Sequence, residues 1–123
     1  MPAEPATDDL SPNWTHSTEQ TANALVVSLS GELDYPGTAP LEALLGAALE
    51  TKPAVLVLDL AEVAFCDSSS LQVLLRISGN ADEQGTGFAL ARARRAVTRP
   101  IQVLGLSEQL PAFESVDAAV ADR

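Results

Sequence analysis

Residues 54–75 change their apolar period once, and that change restricts what the chain can fold into. Ala54-Val55-Leu56-Val57-Leu58-Asp59-Leu60 is short, aliphatic and rich in β-branched residues, as a strand covered on both faces should be. From Leu71 onward, Leu71, Leu74, Leu75 and Ser78 fall at helical spacing, with Val73 and Ile77 widening the apolar face. Between the two patterns the chain runs through Val63-Ala64-Phe65-Cys66 to an acid and three hydroxyls, Asp67-Ser68-Ser69-Ser70. This reads as a strand, a loop and then a helix start, with small polar groups at the positive end of a helix dipole. Taken alone, the tetrad needs no role beyond capping, each cap being worth roughly 1 kcal/mol.

The flanking segments complete an α/β pattern. Residues 1 to about 11, rich in Pro, Ala and acids, read as a loose tail before a single domain spanning 12–123. Trp14 to Glu19 alternates weakly, as an edge strand would. Ala24 to Gly31 is a stronger strand, ended by Gly31. Glu32 to Gly37 is turn chemistry, and a helix starts near Thr38 or Ala39 with Pro40 in its first turn. Leu41, Leu44, Leu45, Ala48 and Leu49 form its apolar face. The helix after Ser70 runs to about Glu83, with Gly79-Asn80 as a weak point within it or an early end. Phe88 to Ala91 is a short strand, Pro100 to Leu104 a third helix stopped by Gly105, and Leu110 to Glu114 an extended piece. Ser115 caps a terminal helix over Ala118-Ala119-Val120. The order predicts a small mixed sheet with helices mainly on one face.

Charge and composition exclude several functions. The formal net charge is −10, from 17 acids and 7 bases. Such a surface repels phosphate backbones and anionic lipid, so neither nucleic acid nor membrane is expected as a direct partner, and proteins with basic patches are. The single Cys66 forms no internal disulfide, and the first residues have neither a basic start nor an apolar run, which together predict a cytoplasmic protein. One Cys and one His16 do not make a zinc site. No Gly-x-Ser-x-Gly elbow surrounds Ser68 and no phosphate-cradling Gly-rich loop is present, so no catalysis and no cofactor is expected. Asp59 reads as a cap for nearby N–H groups and Cys66 as a small core residue. The cluster Arg92, Arg94, Arg95 and Arg99 reads as a solvated face in preference to a docking site for an acidic partner or phosphate.

Leu58-Asp59-Leu60, Val63, Phe65, Asp67-Ser68-Ser69 and Leu71-Gln72-Val73-Leu74-Leu75 together resemble the signature of STAS domains of the anti-sigma factor antagonist type. Gly31-Glu32-Leu33-Asp34 resembles a turn common in the same family, and the resemblance covers about residues 14 to 121. It implies the STAS fold, a small mixed central β-sheet with about four helices mainly packed on one face. It implies phosphorylation at Ser68, with Ser69 as the alternative acceptor, and partner contacts from Asp34, Asp67, Ser68, Ser69, Ser70 and Leu71. The implied partners are an anti-sigma factor with a GHKL-type serine kinase domain and a PP2C-type phosphatase. Ser70 departs from the Gly usual in the family at that position, where Gly permits closer backbone approach. The resemblance also admits an accessory subunit that stabilises the ATPase of a lipid-handling ABC transporter, or a scaffold that is never phosphorylated.

Overall fold

The computed structural model describes residues 11–122, so the tail read from residues 1 to about 11 lies, Ser11 apart, outside the described residues. Five strands form one sheet in the order β1-β2-β3-β4-β5: Trp14–Gln20, Ala24–Leu33, Val55–Cys66, Gly87–Ala91 and Ala112–Phe113. β1 runs antiparallel to β2 and the other neighbours are parallel, which makes the sheet mixed as expected. Four α-helices are described: α1 Thr38–Glu50, α2 Ser68–Gln84, α3 Arg95–Val103 and α4 Val116–Ala121. A single 3-10 turn, Tyr35–Gly37, leads into α1.

The core is aliphatic and two-sided. On one face, Leu25, Val27 and Leu29 of β2 and Leu56, Leu58 and Leu60 of β3 pack with Leu41 and Leu45 of α1, Leu74 and Ile77 of α2, and Val97 and Ile101 of α3. On the other, Val26, Val57, Ala89 and Ala91 meet the short α4 through Ala119, with Val116, Val120 and Phe113 at the margin. Three helices therefore share one face and α4 takes the other. Val55 to Leu60 are all buried because β2 and β4 flank them and helices cover both faces.

The sequence places α1, β4 and α4 well, and three boundaries differ. β2 does not stop at Gly31 but continues to Leu33, with a register irregularity against β3 on either side of Ser30-Gly31. Gly31 has φ 111°, and a Cβ there would lie 2.4 Å from the Asn13 carbonyl oxygen, so glycine serves close approach inside the strand and not its end. β3 likewise runs on to Cys66, pairing Glu62 to Cys66 with Ser30 to Leu33, and no loop precedes Asp67. α3 begins at Arg95, five residues before Pro100, because Val97 and Ile101 bury one face and the Val97 and Thr98 N–H groups both reach the Arg94 carbonyl. Pro100 leaves the Ala96 carbonyl without its helical donor, and Ala96 is on the exposed side, where water can replace it. Gly79-Asn80 does not break α2, which continues to Gln84 and closes with the Thr86 N–H on the Ala81 carbonyl at 2.8 Å.

Candidate functional site at the β3–α2 junction

One residue separates the last position of β3 from the first of α2. That residue is Asp67, extended at φ −85° and ψ 176°, and it caps α2. Its Oδ1 accepts the Ser70 N–H at 2.9 Å and the Ser69 hydroxyl at 2.8 Å, while its carbonyl accepts the Leu71 N–H at 3.0 Å. Its own N–H donates to the Leu33 carbonyl at 2.9 Å, which joins the helix start to the end of β2. Burial pushes the Asp67 carboxyl up, but the Ser70 N–H and the Ser69 hydroxyl outweigh it and hold the group below the usual carboxylate range. The Tyr35 N–H adds to that lowering from the neighbouring turn.

The three serines have different environments. Ser68 is exposed and its hydroxyl makes no hydrogen bond among the described residues. Ser69 is half-buried and committed to Asp67. Ser70 is 0% exposed, and its Oγ makes no hydrogen bond of good geometry among the described residues, although it stands near enough to the Asp67 carboxylate to help lower that group. Leu71 is turned into the core. Of the residues singled out after Asp67, only Ser68 offers a free side chain to solvent.

Asp34 arrives at the same place from β2. Asn13 Nδ2 donates to both of its carboxylate oxygens, at 3.2 and 3.1 Å, and its carbonyl accepts the Gly37 N–H at 2.9 Å. The Trp14 Nε1–H donates to the Gly37 carbonyl at 3.1 Å, and a Cβ on Gly37 would meet that Nε1 at 2.4 Å. Glycine therefore lets Trp14 fasten the turn that carries Asp34. Two exposed aromatics lie in these same segments, Tyr35 at 71% and Phe65 at 47% exposure. Phe65 belongs to the signature and Tyr35 to the turn chemistry of residues 32–37, but the sequence assigns neither a partner contact. The available signal was the scarcity of aromatics, 4% of the chain.

The arginine run is divided in its roles. Arg92 grips Asp59, and Arg94 donates to the Ala61 carbonyl at 2.7 Å and lies 3.8 Å from Glu62. Arg95 and Arg99 are exposed and have no ion pair among the described residues. Asp59 also accepts the Ala61 N–H at 3.2 Å, the backbone cap expected of it. Cys66 is buried, and burial together with the Asp67 charge pushes its thiol up to about 12. Among the described residues no three His, Cys, Asp or Glu side chains converge on a metal position, and no helix is long and apolar enough to cross a membrane.

Residues 16–112 match the family described as "Mlab, STAS domain", and the chain is a STAS-domain protein. The anti-sigma-F factor antagonist RsfB of Mycobacterium tuberculosis is 30% identical over 95 residues, 77% of each chain. A crystal structure of an anti-sigma factor antagonist from Mycobacterium paratuberculosis aligns with a TM-score of 0.81 and 32% identity, covering 91% of this chain and 96% of that one. Within the STAS proteins the chain belongs to the anti-sigma factor antagonist family. The Bacillus cell fate determinant SpoIIAA in its phosphorylated form shares the fold, with a TM-score of 0.68 and 19% identity over 89% of this chain and 100% of that one.

Proposed function

We propose that this chain acts by partner switching. Unphosphorylated, it binds an anti-sigma factor that carries a GHKL-type serine kinase domain, and that binding releases a sigma factor. The kinase transfers the γ-phosphoryl group of its ATP to the Ser68 hydroxyl, the complex separates, and a PP2C-type phosphatase restores the free serine. The observation that carries this reading is Ser68 itself, exposed and unbonded as the first residue of the 17-residue α2. Ser69, the alternative acceptor, would have to give up its hydrogen bond to Asp67 first.

The physics supports a switch that leaves the fold in place. A phosphate on Ser68 adds about −1.5 to −2 charges and three strong acceptors. The first N–H groups of α2 lack intrahelical acceptors and face that position, so the helix end tolerates an anion. Asp67 and Asp34 stand nearby, and an interface that accepts three carboxylate and phosphate groups together is costly to desolvate. RsfB is described as an anti-sigma-F factor antagonist, and SpoIIAA has been solved in unphosphorylated and phosphorylated forms, which supports the same division of states here.

A second reading, an accessory subunit that stabilises the ATPase of a lipid-handling ABC transporter, is favoured by the family description "Mlab". Affinity capture from host lysate with wild type beside Ser68→Asp separates the two. Retention of a serine-kinase-like ATPase by wild type alone supports partner switching. Retention of a transporter ATPase by both baits replaces it with the accessory role.

A further inference from the structure

Five aromatic residues occur in the chain, and Trp14, Phe88 and Phe113 pack against the fold to differing degrees. The remaining two, Tyr35 and Phe65, are among the most exposed large apolar side chains described. Both belong to the two segments that meet at the Asp67 cap. Phe65 is two residues before Asp67 and pairs in register with Glu32 across β2–β3, and the Tyr35 N–H is directed at the Asp67 carboxylate. Val103 and Leu104, the other exposed large aliphatics, lie at the C-terminal end of α3.

We propose that Tyr35 and Phe65 are the apolar anchors by which the anti-sigma factor docks, with Ser68 beside them as the switch. This rests on the partner-switching reading and goes further, because it separates the source of affinity from the source of control. Exposed aromatics at a functional site are the residue types that dominate binding energy when a partner's pocket desolvates them. Charge complementarity names the occupant's surface. In Glu32-Leu33-Asp34-Tyr35 and Phe65-Cys66-Asp67-Ser68 there are three acids and no base, so the matching face is an apolar pocket with a basic rim. Phosphorylation then adds anionic charge at the edge of that contact without removing the anchors.

The test is a titration of the purified anti-sigma factor, once identified by the capture, against four variants. Tyr35→Ala and Phe65→Thr each weaken binding about tenfold or more, while Val103→Ser, with equal exposure elsewhere, stays within about twofold. Thr retains strand propensity at position 65, and circular dichroism checks that each variant is folded. Binding of both aromatic variants within about twofold of wild type overturns the proposal. Ser68→Asp is the separate arm: wild-type binding by that variant defeats the switch, while the two aromatic variants still decide the anchors.

Discussion

The Arg92 guanidinium holds the Asp59 carboxylate through two hydrogen bonds, Nη2 to Oδ2 at 2.7 Å and Nε to Oδ1 at 3.1 Å. Asp59 sits in the middle of β3 at 7% exposure, where a carboxylate without partners is costly. Arg92 reaches it from a left-handed backbone, φ 58°, a conformation that L side chains adopt at some expense. The pair ties the end of β4 to the central strand, and the neighbouring Arg94 extends the tie to Ala61 and Glu62.

Replacing Arg92 by Ala and by Gly separates the ion pair from the backbone. Both variants lose the contact to Asp59 and melt below wild type. Gly also relieves the positive φ, so Arg92→Gly should melt roughly 3–6 °C above Arg92→Ala. Equal thermal midpoints would mean that residue 92 relaxes its backbone on substitution.

Asp67 makes the stability of the helix start dependent on pH. Its native carboxyl binds a proton less readily than the unfolded chain does, so its stabilisation is complete above the unfolded value near pH 4 and is lost as pH falls through the lower native value. Asn keeps the cap acceptor and does not titrate. In urea unfolding, the free-energy difference between wild type and Asp67→Asn should shrink as the solution is acidified. Asp67→Ala should cost about 1 kcal/mol at neutral pH. A difference from Asn that is constant with pH would remove Asp67 as the titrating cap.

Ser70 carries a buried hydroxyl with no hydrogen bond of good geometry among the described residues. Removing it costs no well-formed hydrogen bond, only a weak attraction to the Asp67 carboxylate, and it removes the desolvation of a poorly satisfied polar group. Ser70→Ala should therefore stabilise the protein by about 1 kcal/mol. Ser70→Gly gives back about that much through backbone freedom in the first turn. Denaturant midpoints for the two variants check this, and a loss of stability in Ser70→Ala would identify an ordered partner for Oγ.

Cys66 should be chemically quiet. Burial first, and the Asp67 charge second, push its thiol up to about 12, so at mildly alkaline pH it stays protonated. A thiol reagent should label the native protein far more slowly than the urea-unfolded chain. Equal rates would show that the β3–α2 junction opens readily.

Local sequence carried the reading where local forces decide. The α1 face, the Asp67 and Ser115 caps and the mixed sheet follow from spacing and capping chemistry that neighbouring residues set. The second half of β3 was not legible because β4 ends at Ala91, opposite Asp59, and beyond that point the strand is flanked on one side only. Ala61, Glu62, Ala64 and Phe65 are no longer covered, so their composition ceases to look like a buried strand. The Arg92–Asp59 pair joins residues 33 apart and depends on β3–β4 register, which no local window contains. Arg95 to Arg99 hid the start of α3, since Val97 alone supplied its apolar signal and Pro100 looked like a beginning. At the site, the tetrad was visible, but which serine faces solvent depends on how Asp67 distributes its hydrogen bonds.

A junction of one residue has no slack. Cys66 is held in the sheet, Ser68 is held in the helix, and Asp67 between them is bonded in both directions. A molecule that docks here meets an edge already in its final shape, so little ordering entropy is lost on this side of the contact. Recognition at this edge is then a comparison of fixed surfaces, and a single added group can reverse its outcome without any part of the backbone having to move.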